Sequence, residues 1–539
     1  MTLNGALRCD AVVVGGGHHG LVAAAVLADA GWDVCVLEAN DEVGGAVRSA
    51  ELHPGFVGDL FSAFYPLSVA SPVLRSLQLE DHGVRWSHAP AVLAHPPRPD
   101  SAAAAVLHRD PEATAAGLAG DHPADGQAWL DLVEQWQRIR DPLLRSIFTA
   151  FPPLRGPGEL LRRLGTAGAL RLARFLALPA RRMGQELFRG ESGRLLLAGN
   201  ALHADVPVDA PVSGTYGWLL AMLGQDVGFP VPVGGAGQLA AALAARARAA
   251  GAQIHTGQRA ERIDVEGGRA VGVRTAAGLT VHARRAVVAD VSAPSLYLDL
   301  LAPRDVPAAL RADLRRFQWD SPVVKVNWAL RRPIPWRAQE ARDAGTVHLG
   351  CDENQMAHWS ADIEGATVPR TPFLLLGQMT TADPSRSPEG TESAWAYTHL
   401  PRGTVDDASA DLLADRVDEV VERFAPGFGA RVLARTVQRP GDLHRADANL
   451  VDGAVNGGTA QLHQQLVFRA VPGLGRPETP VSGLYLGSAA AHPGGGVHGV
   501  CGWLAARAAL AEHGALGPLR RRITTAAMEL IYRERRTTR

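Results

Sequence analysis

The chain has 539 residues, 46% of them hydrophobic, and a formal net charge of -1 at neutral pH. A chain of this length buries more than one core and divides into domains, and its balanced charge offers no general attraction to a phosphate polymer, so nucleic acid is not the expected partner. The four cysteines, Cys9, Cys35, Cys351 and Cys501, are scattered with no CxxC pair, which argues against a disulfide framework and against a metal centre.

No charged and apolar leader opens the sequence and no apolar run reaches the length of a bilayer span, so a cytoplasmic protein is expected. Ala11 to Val14 read as a strand and Leu21 to Ala30 as a helix stopped at Gly31. Between them, DAVVVGGGHHGL places Gly15, Gly17 and Gly20 at the positions of GxGxxG. The first glycine permits a tight turn, the second lets a pyrophosphate approach the backbone, and the third lets helix and strand pack closely. DVCVLEAN then forms a second strand ending at Glu38, where an acidic side chain meets the ribose hydroxyls of an adenine dinucleotide and repels a 2′-phosphate. FAD or NAD is therefore expected, and NADP is not. For His18 and His19, in the first helical turn, two readings stand: exposed residues without a role, or a charge-assisted hydrogen bond to the pyrophosphate, with His18 the better placed.

Further along, GLAGDHPADGQAWLDLVEQWQRIRDPLL becomes an amphipathic helix near Pro123, and two arginine-studded apolar helices follow up to Phe188. One face of these helices packs. They also suit a cap over a substrate cavity, or a peripheral contact with a membrane surface or a partner. In the segment FPVPVGGAGQLAAALAARARAAGAQIHTGQ, Gly234, Gly235 and Gly237 lead a helix that ends near Gly251. Short strands follow, with a hairpin turn at Gly267 and Gly268 and a strand Ala286 to Ala289 ending at Asp290. No acid closes the strand IHTG, so this is not a second dinucleotide loop and NADPH is not the expected reductant. SPVVKVNWALRRPIPW alternates as a strand and carries Lys325, the chain's single lysine. It is either a snorkelling residue on an edge strand or a functional group. Near the end, a strand from Leu484 to Leu486, a turn with Gly487, Gly494, Gly495 and Gly496, and a helix from about Val497 are predicted. The tail LRRRITTAAMELIYRERRTTR is basic and helical and could dock on a partner.

Several of these stretches carry a resemblance. Gly44-Gly45 with Arg48, the segments GFVGDLFSAFYPL and GGAGQL, and the terminus HPGGGVHGVCG resemble the FAD enzymes of the phytoene desaturase and carotenoid isomerase superfamily, within the amine oxidase group. The chain is most similar to the branch of pyridine nucleotide-disulphide oxidoreductase-domain proteins. The resemblance implies noncovalent FAD, with Gly44, Gly45 and Arg48 near its phosphates and ribityl chain and with Gly487, Gly494, Gly495, Gly496 and Val497 near the flavin ring. It implies that Lys325 matches the lysine of flavin amine oxidases that holds a water near flavin N5. His492 and His498 either act there as acid or base or cap a helix start.

The implied fold is α/β, with a discontinuous Rossmann-type FAD-binding domain (1–85, 231–300, 441–539) and an α+β substrate domain (86–230, 301–440). The implied function is FAD-dependent oxidation or desaturation of an apolar polyene, isoprenoid or lipid-like molecule by hydride transfer, with oxygen or a quinone as acceptor. A redox-neutral polyene isomerase, an amine oxidase and a non-catalytic binding protein of the same fold are the alternatives. Neither the substrate nor the oligomeric state follows from these residues.

Overall fold

The computed structural model describes residues 6–532. Its first sheet is organised around the strand Ala6–Val14, whose apolar run AVVV is buried. A continuous apolar run suits a strand covered on both faces, as in parallel sheets. The strand pairs in parallel with Val34–Leu37 on one side and with Thr280–Ala289 on the other. Gln253–His255 lies beyond Val34–Leu37, and Leu484–Leu486 also pairs with Thr280–Ala289. The antiparallel strands Arg269–Thr275 and Ala260–Glu266 complete the seven. The GGAG segment opens the helix Ala236–Ala249, which runs into this same sheet and so does not begin a second nucleotide fold.

The second sheet has seven strands in the order Val432–Gln438, Val323–Leu330, Glu392–His399, Leu374–Gln378, Ala344–Leu349, Ala91–His95 and Ala105–Leu107. Only the pair Ala344–Leu349 and Ala91–His95 is parallel. Strands of the first sheet come from 1–85, 231–300 and 441–539, and those of the second from 86–230 and 301–440. Val323–Leu330 is flanked on both sides and wholly buried, which removes the edge-strand reading of Lys325. Its alternation has a different cause: Val324, Val326 and Trp328 enter an apolar core, while Lys325 and Asn327 take the opposite face.

Six helices between Pro111 and Val227 cover the assembly. The helix expected near Pro123 spans Pro123–Ile147, with proline in its first turn and His122 accepting from Ala124 N at 3.3 Å. The arginine-rich pair is Arg155–Ala177, broken at Gly165, and Ala180–Leu187, and Leu161 and Leu170 on the first are exposed. None of these three helices reaches the central cavity. Its wall is made instead by Ser213–Val227 and by the end of Glu191–Ala201. The reason is physical: an amphipathic stripe marks a helix with one wet face, whereas a cavity wall is apolar nearly all round. Among the described residues, no helix is long and apolar enough to cross a membrane.

The C-terminal helix begins at Val500, not at Val497, because Gly499 takes a left-handed conformation (φ 73°) and caps it. The last described helix is Gly517–Tyr532, and 533–539 of the basic tail lie outside the described residues.

Candidate functional site: a cavity between the two sheets

A cavity of about 1430 Å³ takes its wall from both sheets. Pockets for one small ligand run to roughly 1,000 Å³, so this one has room for a dinucleotide and a second molecule. One end lies at the carboxyl ends of the parallel strands, where Val14, Gly15, Leu37, Glu38 and Asp290 meet. Open α/β sheets bind ligands at this edge. Gly15 has φ +100°, and a Cβ on it would fall 2.6 Å from Asp290 O. The helix His18–Asp29 follows with no side-chain acceptor at its N-cap Gly17; Asp290 takes the third N–H, that of Gly20, and the positive dipole end points past Gly17, His18 and His19 in the wall.

Glu38 accepts from Gly16 N at 2.7 Å and from Asn40 N at 2.8 Å, and burial raises its pKa against those two bonds. Asp290 Oδ2 accepts from Gly20 N at 2.7 Å, and burial pushes its pKa to about 8. Asp447 is raised by burial as well. Three carboxyl groups thus share a dry corner, and Asp290 keeps its proton at neutral pH.

The other glycines divide into wall and support. Gly45 is in the wall, and a Cβ there would come 3.2 Å from Gly17 Cα, so the two loops face each other as bare backbone. Gly44 N donates to Gly16 O at 2.9 Å and fixes that approach from behind. Gly20 also stands behind, since a Cβ on it would overlap Gly15 O. Arg48 has a different place from the one expected. Its guanidinium donates to Gly45 O at 3.0 Å and to Ala446 O at 2.6 Å, so it braces the glycine loop and is not part of the wall.

At the far side of the same end, Gly495, Gly496 and Val497 are in the wall. Gly487 and Gly494 are behind it: Gly487 lets its strand approach the C-terminal helix, with a Cβ 3.2 Å from that of Ala505, and Gly494 packs beneath the guanidinium of Arg469.

Of the two readings of His492 and His498, acid or base and helix cap, His498 meets the second and neither meets the first. His492 Nε2 bonds to Thr149 O at 3.0 Å, and neither it nor His498 is in the wall. His498 accepts from Val500 N through Nδ1 at 3.0 Å and donates to Gly494 O through Nε2 at 3.2 Å, so it caps the helix. Burial lowers both, His498 to about 3, and neither is an acid or base facing a ligand. His18 is in the wall, where burial lowers its pKa to about 4 and its Nε2 has no protein partner. His19, His498 and Cys501 bring possible ligand atoms within 4.8 Å of one another, yet both nitrogens of His498 are already engaged with main chain. The four cysteines are buried, and none is in the wall.

One wall strip carried only a turn signal in the sequence, the NGG at Asn456 to Gly458. The buried Arg469 donates to Asn456 O at 2.8 Å, Thr459 O at 3.1 Å and Ala489 O at 2.6 Å, while Asp320 accepts from Val455 N at 2.6 Å and Asn456 N at 2.9 Å. A lone arginine among loops has no motif, so neither group was identifiable beforehand.

Lys325, 3% exposed, faces the cavity from the second sheet. Its Nζ donates to Phe61 O at 3.2 Å and to Asp59 O, and it stands 5.1 Å from the ring centre of Trp395. Burial lowers its pKa to about 7, with nearby Asp59 opposing. Two of its three N–H groups are used by carbonyls, leaving one for the cavity.

The family model described as flavin containing amine oxidoreductase matches residues 20–510. The chain belongs to this family. It is an FAD-dependent oxidoreductase. Among flavin-containing amine oxidoreductases and their relatives, it is 30% identical to pyridine nucleotide-disulfide oxidoreductase domain-containing protein 2 of Rattus norvegicus, covering 93% of each chain. It is 28% identical to the zeta-carotene-forming phytoene desaturase of Myxococcus xanthus, covering 72% of each. An oxidoreductase from Methanosarcina mazei shares the fold, with a TM-score of 0.60 at 17% identity, covering 94% of this chain and 100% of that one.

FAD fits what the family member presents. The dipole end of the helix at His18 suits a pyrophosphate, and Glu38, at the end of the second strand, suits a ribose. Gly17 packs on Asp290, since a Cβ there would lie 2.7 Å from Asp290 Oδ2, and so it presents bare backbone in the wall.

Proposed function

We propose that this FAD-dependent oxidoreductase oxidises or desaturates an apolar substrate of polyene, isoprenoid or lipid-like character. The observation that carries this reading is the wall around Lys325. There Phe61, Phe64 and Tyr397 approach the cavity, and the carboxylates of the wall, Glu38, Glu261, Asp290, Asp299 and Asp447, all belong to segments of the nucleotide-binding half. A cationic amine in this part would meet the Lys325 ammonium with no carboxylate in the wall beside it, which disfavours it. An apolar chain gains roughly 25 cal/mol per Å² buried there. Amine oxidases use an aromatic pair whose second member comes from the C-terminal flavin segment, and GSAAAHPGGGV (487–497) contains no aromatic residue. The likeness to a phytoene desaturase supports the same substrate class.

In this proposal Gly15, Gly17 and the end of the helix at His18 hold the pyrophosphate, Glu38 the ribose, and Gly45, Gly495, Gly496 and Val497 border the rest of the cofactor. FAD supplies the hydride acceptor. The chain aligns the carbon that is oxidised, excludes water around it, and presents the free N–H of Lys325 to a water or to oxygen. Oxygen or a quinone takes the electrons.

The test is anaerobic titration of the purified protein with acyclic polyenes and terpenes, and separately with primary amines, while the visible flavin band is followed. Bleaching by a hydrocarbon and not by amines is expected. Bleaching by amines alone overturns the proposal, and conversion of polyene geometry without net bleaching replaces it with redox-neutral isomerisation.

A further inference from the structure

Away from the nucleotide end, the cavity meets a group of imidazoles. His203, just beyond the helix Glu191–Ala201, is in the wall, and its Nε2 stands 2.9 Å from Nε2 of the fully buried His348. His95 is behind them, with its ring 5.5 Å from that of His348 and its Nε2 bonded to Cys351 O at 3.1 Å. Two other wall residues, Asn200 and Thr346, are buried, and their Oδ1 and Oγ1 have no protein partner. His348 Nδ1 and His95 Nδ1 have none either. Gly199 admits these rings, since a Cβ on it would overlap His348 and come 3.0 Å from His95 Nδ1. These atoms lie beneath the cavity surface, whereas His203 is half-buried in the wall and bonded through Nε2 alone, so its Nδ1 is the polar atom that a ligand in the cavity meets.

Neighbouring strands of the second sheet align Lys325, Tyr397, Leu375 and His348 as successive cross-strand partners. Such partners project from one face, and three strand spacings amount to about 14 Å. The imidazoles are therefore on the same side of the sheet as Lys325, at the distance of a medium-length chain.

We propose that His203, backed by His348, forms a polar subsite that binds an uncharged hydroxyl or carbonyl oxygen at the far end of an otherwise apolar substrate. This inference rests on the apolar-substrate reading given above and adds to it an anchoring group and a length. Two imidazoles meeting nitrogen to nitrogen share one proton. His203 Nδ1 is thus a donor or an acceptor according to which ring carries that proton, and it accommodates either oxygen function. Burial lowers His203 to about 3 and His348 well below its ordinary value, so the pair is uncharged. A carboxylate here would meet two uncharged imidazoles, whose pKa values are shifted by burial and by other histidines and not by any cation.

The test uses the FAD-loaded protein and reads the change in its flavin absorption spectrum on binding decanol, decane or decanoate at matched thermodynamic activity. Decanol is expected to bind roughly tenfold more tightly than decane. His203→Phe is expected to erase that preference while decane still binds, and His203→Gln to keep part of it. FAD content reports that each variant has folded, and His203→Gln serves alone if His203→Phe fails. An unchanged alcohol preference in the folded variants, or decanoate binding more tightly than decanol to the unaltered protein, overturns the subsite and leaves the apolar reading standing. If neither decanol nor decane binds, the apolar reading falls and the subsite with it.

Discussion

A single lysine among arginines decides more chemistry than its frequency suggests. A guanidinium stays charged in any protein environment, whereas a buried ammonium yields its proton, and burial brings Lys325 to about 7. Lys325→Met should retain FAD and slow reoxidation of the reduced protein by air at least tenfold, as followed by stopped-flow absorbance. In the unaltered protein that rate should fall as pH rises through about 7, where the ammonium form is lost, and the variant should show no such step. Equal rates, or the same step in both, would remove Lys325 from the reaction. The lowered pKa also sets the sign of a stability effect. Between about 7 and the usual lysine value of 10.5 the unfolded chain holds a proton that the folded chain does not, so this residue's contribution to stability improves as pH rises through that window. Glu38 was legible from its spacing after the glycines, because its position follows from local strand and turn geometry. The choice between acid–base and cap at His492 and His498 was not, because the partners of an imidazole depend on what distant segments bury it.

At the scale of elements, the strand, turn and helix from Ala6 to Asp29 show how much a local pattern can specify. Strand, bare turn and helix all agree, and each glycine has a separate steric reason to be there. Gly17→Val should therefore lose FAD with little change in fold. Its Cβ would lie 2.7 Å from Asp290 Oδ2, so the larger side chain would displace the glycine loop that borders the groove. Acid release of flavin per mole of protein should fall at least tenfold while the far-ultraviolet circular dichroism stays near that of the parent. Full flavin content in this variant would show that the groove is not where FAD lies. The helices from Pro123 to Leu187 taught the opposite lesson. Their amphipathic pattern predicted that they exist, but it could not show that Ser213–Val227 would line the cavity in their place.

Across the whole molecule, the two halves are tied by charges that no motif marks. Arg386, wholly buried, donates to Asp59 Oδ2 at 2.8 Å and Asp383 Oδ2 at 3.1 Å. Asp59 Oδ1 accepts from Ala236 N at 2.8 Å, and Asp383 Oδ2 from Gly234 N at 2.8 Å. One guanidinium therefore joins the second sheet to the start of a helix that packs on the nucleotide domain. Arg386→Met should cost roughly 3–5 kcal/mol, because it leaves two buried carboxylates without a counter-charge. Urea unfolding of the FAD-loaded protein measures this, and a loss below about 1 kcal/mol would mean that the network is not a structural tie. By itself the sequence determined the strand, glycine turn and helix of the nucleotide loop and the acid that closes its second strand, since these follow from patterns within a few tens of residues. Only the tertiary structure decided that Arg48 braces, that His498 caps, and that His203 meets His348 beside a cavity opposite Lys325. Each of those outcomes depends on contacts between segments far apart in the chain, where burial and proximity, and not residue type, determine what a side chain does.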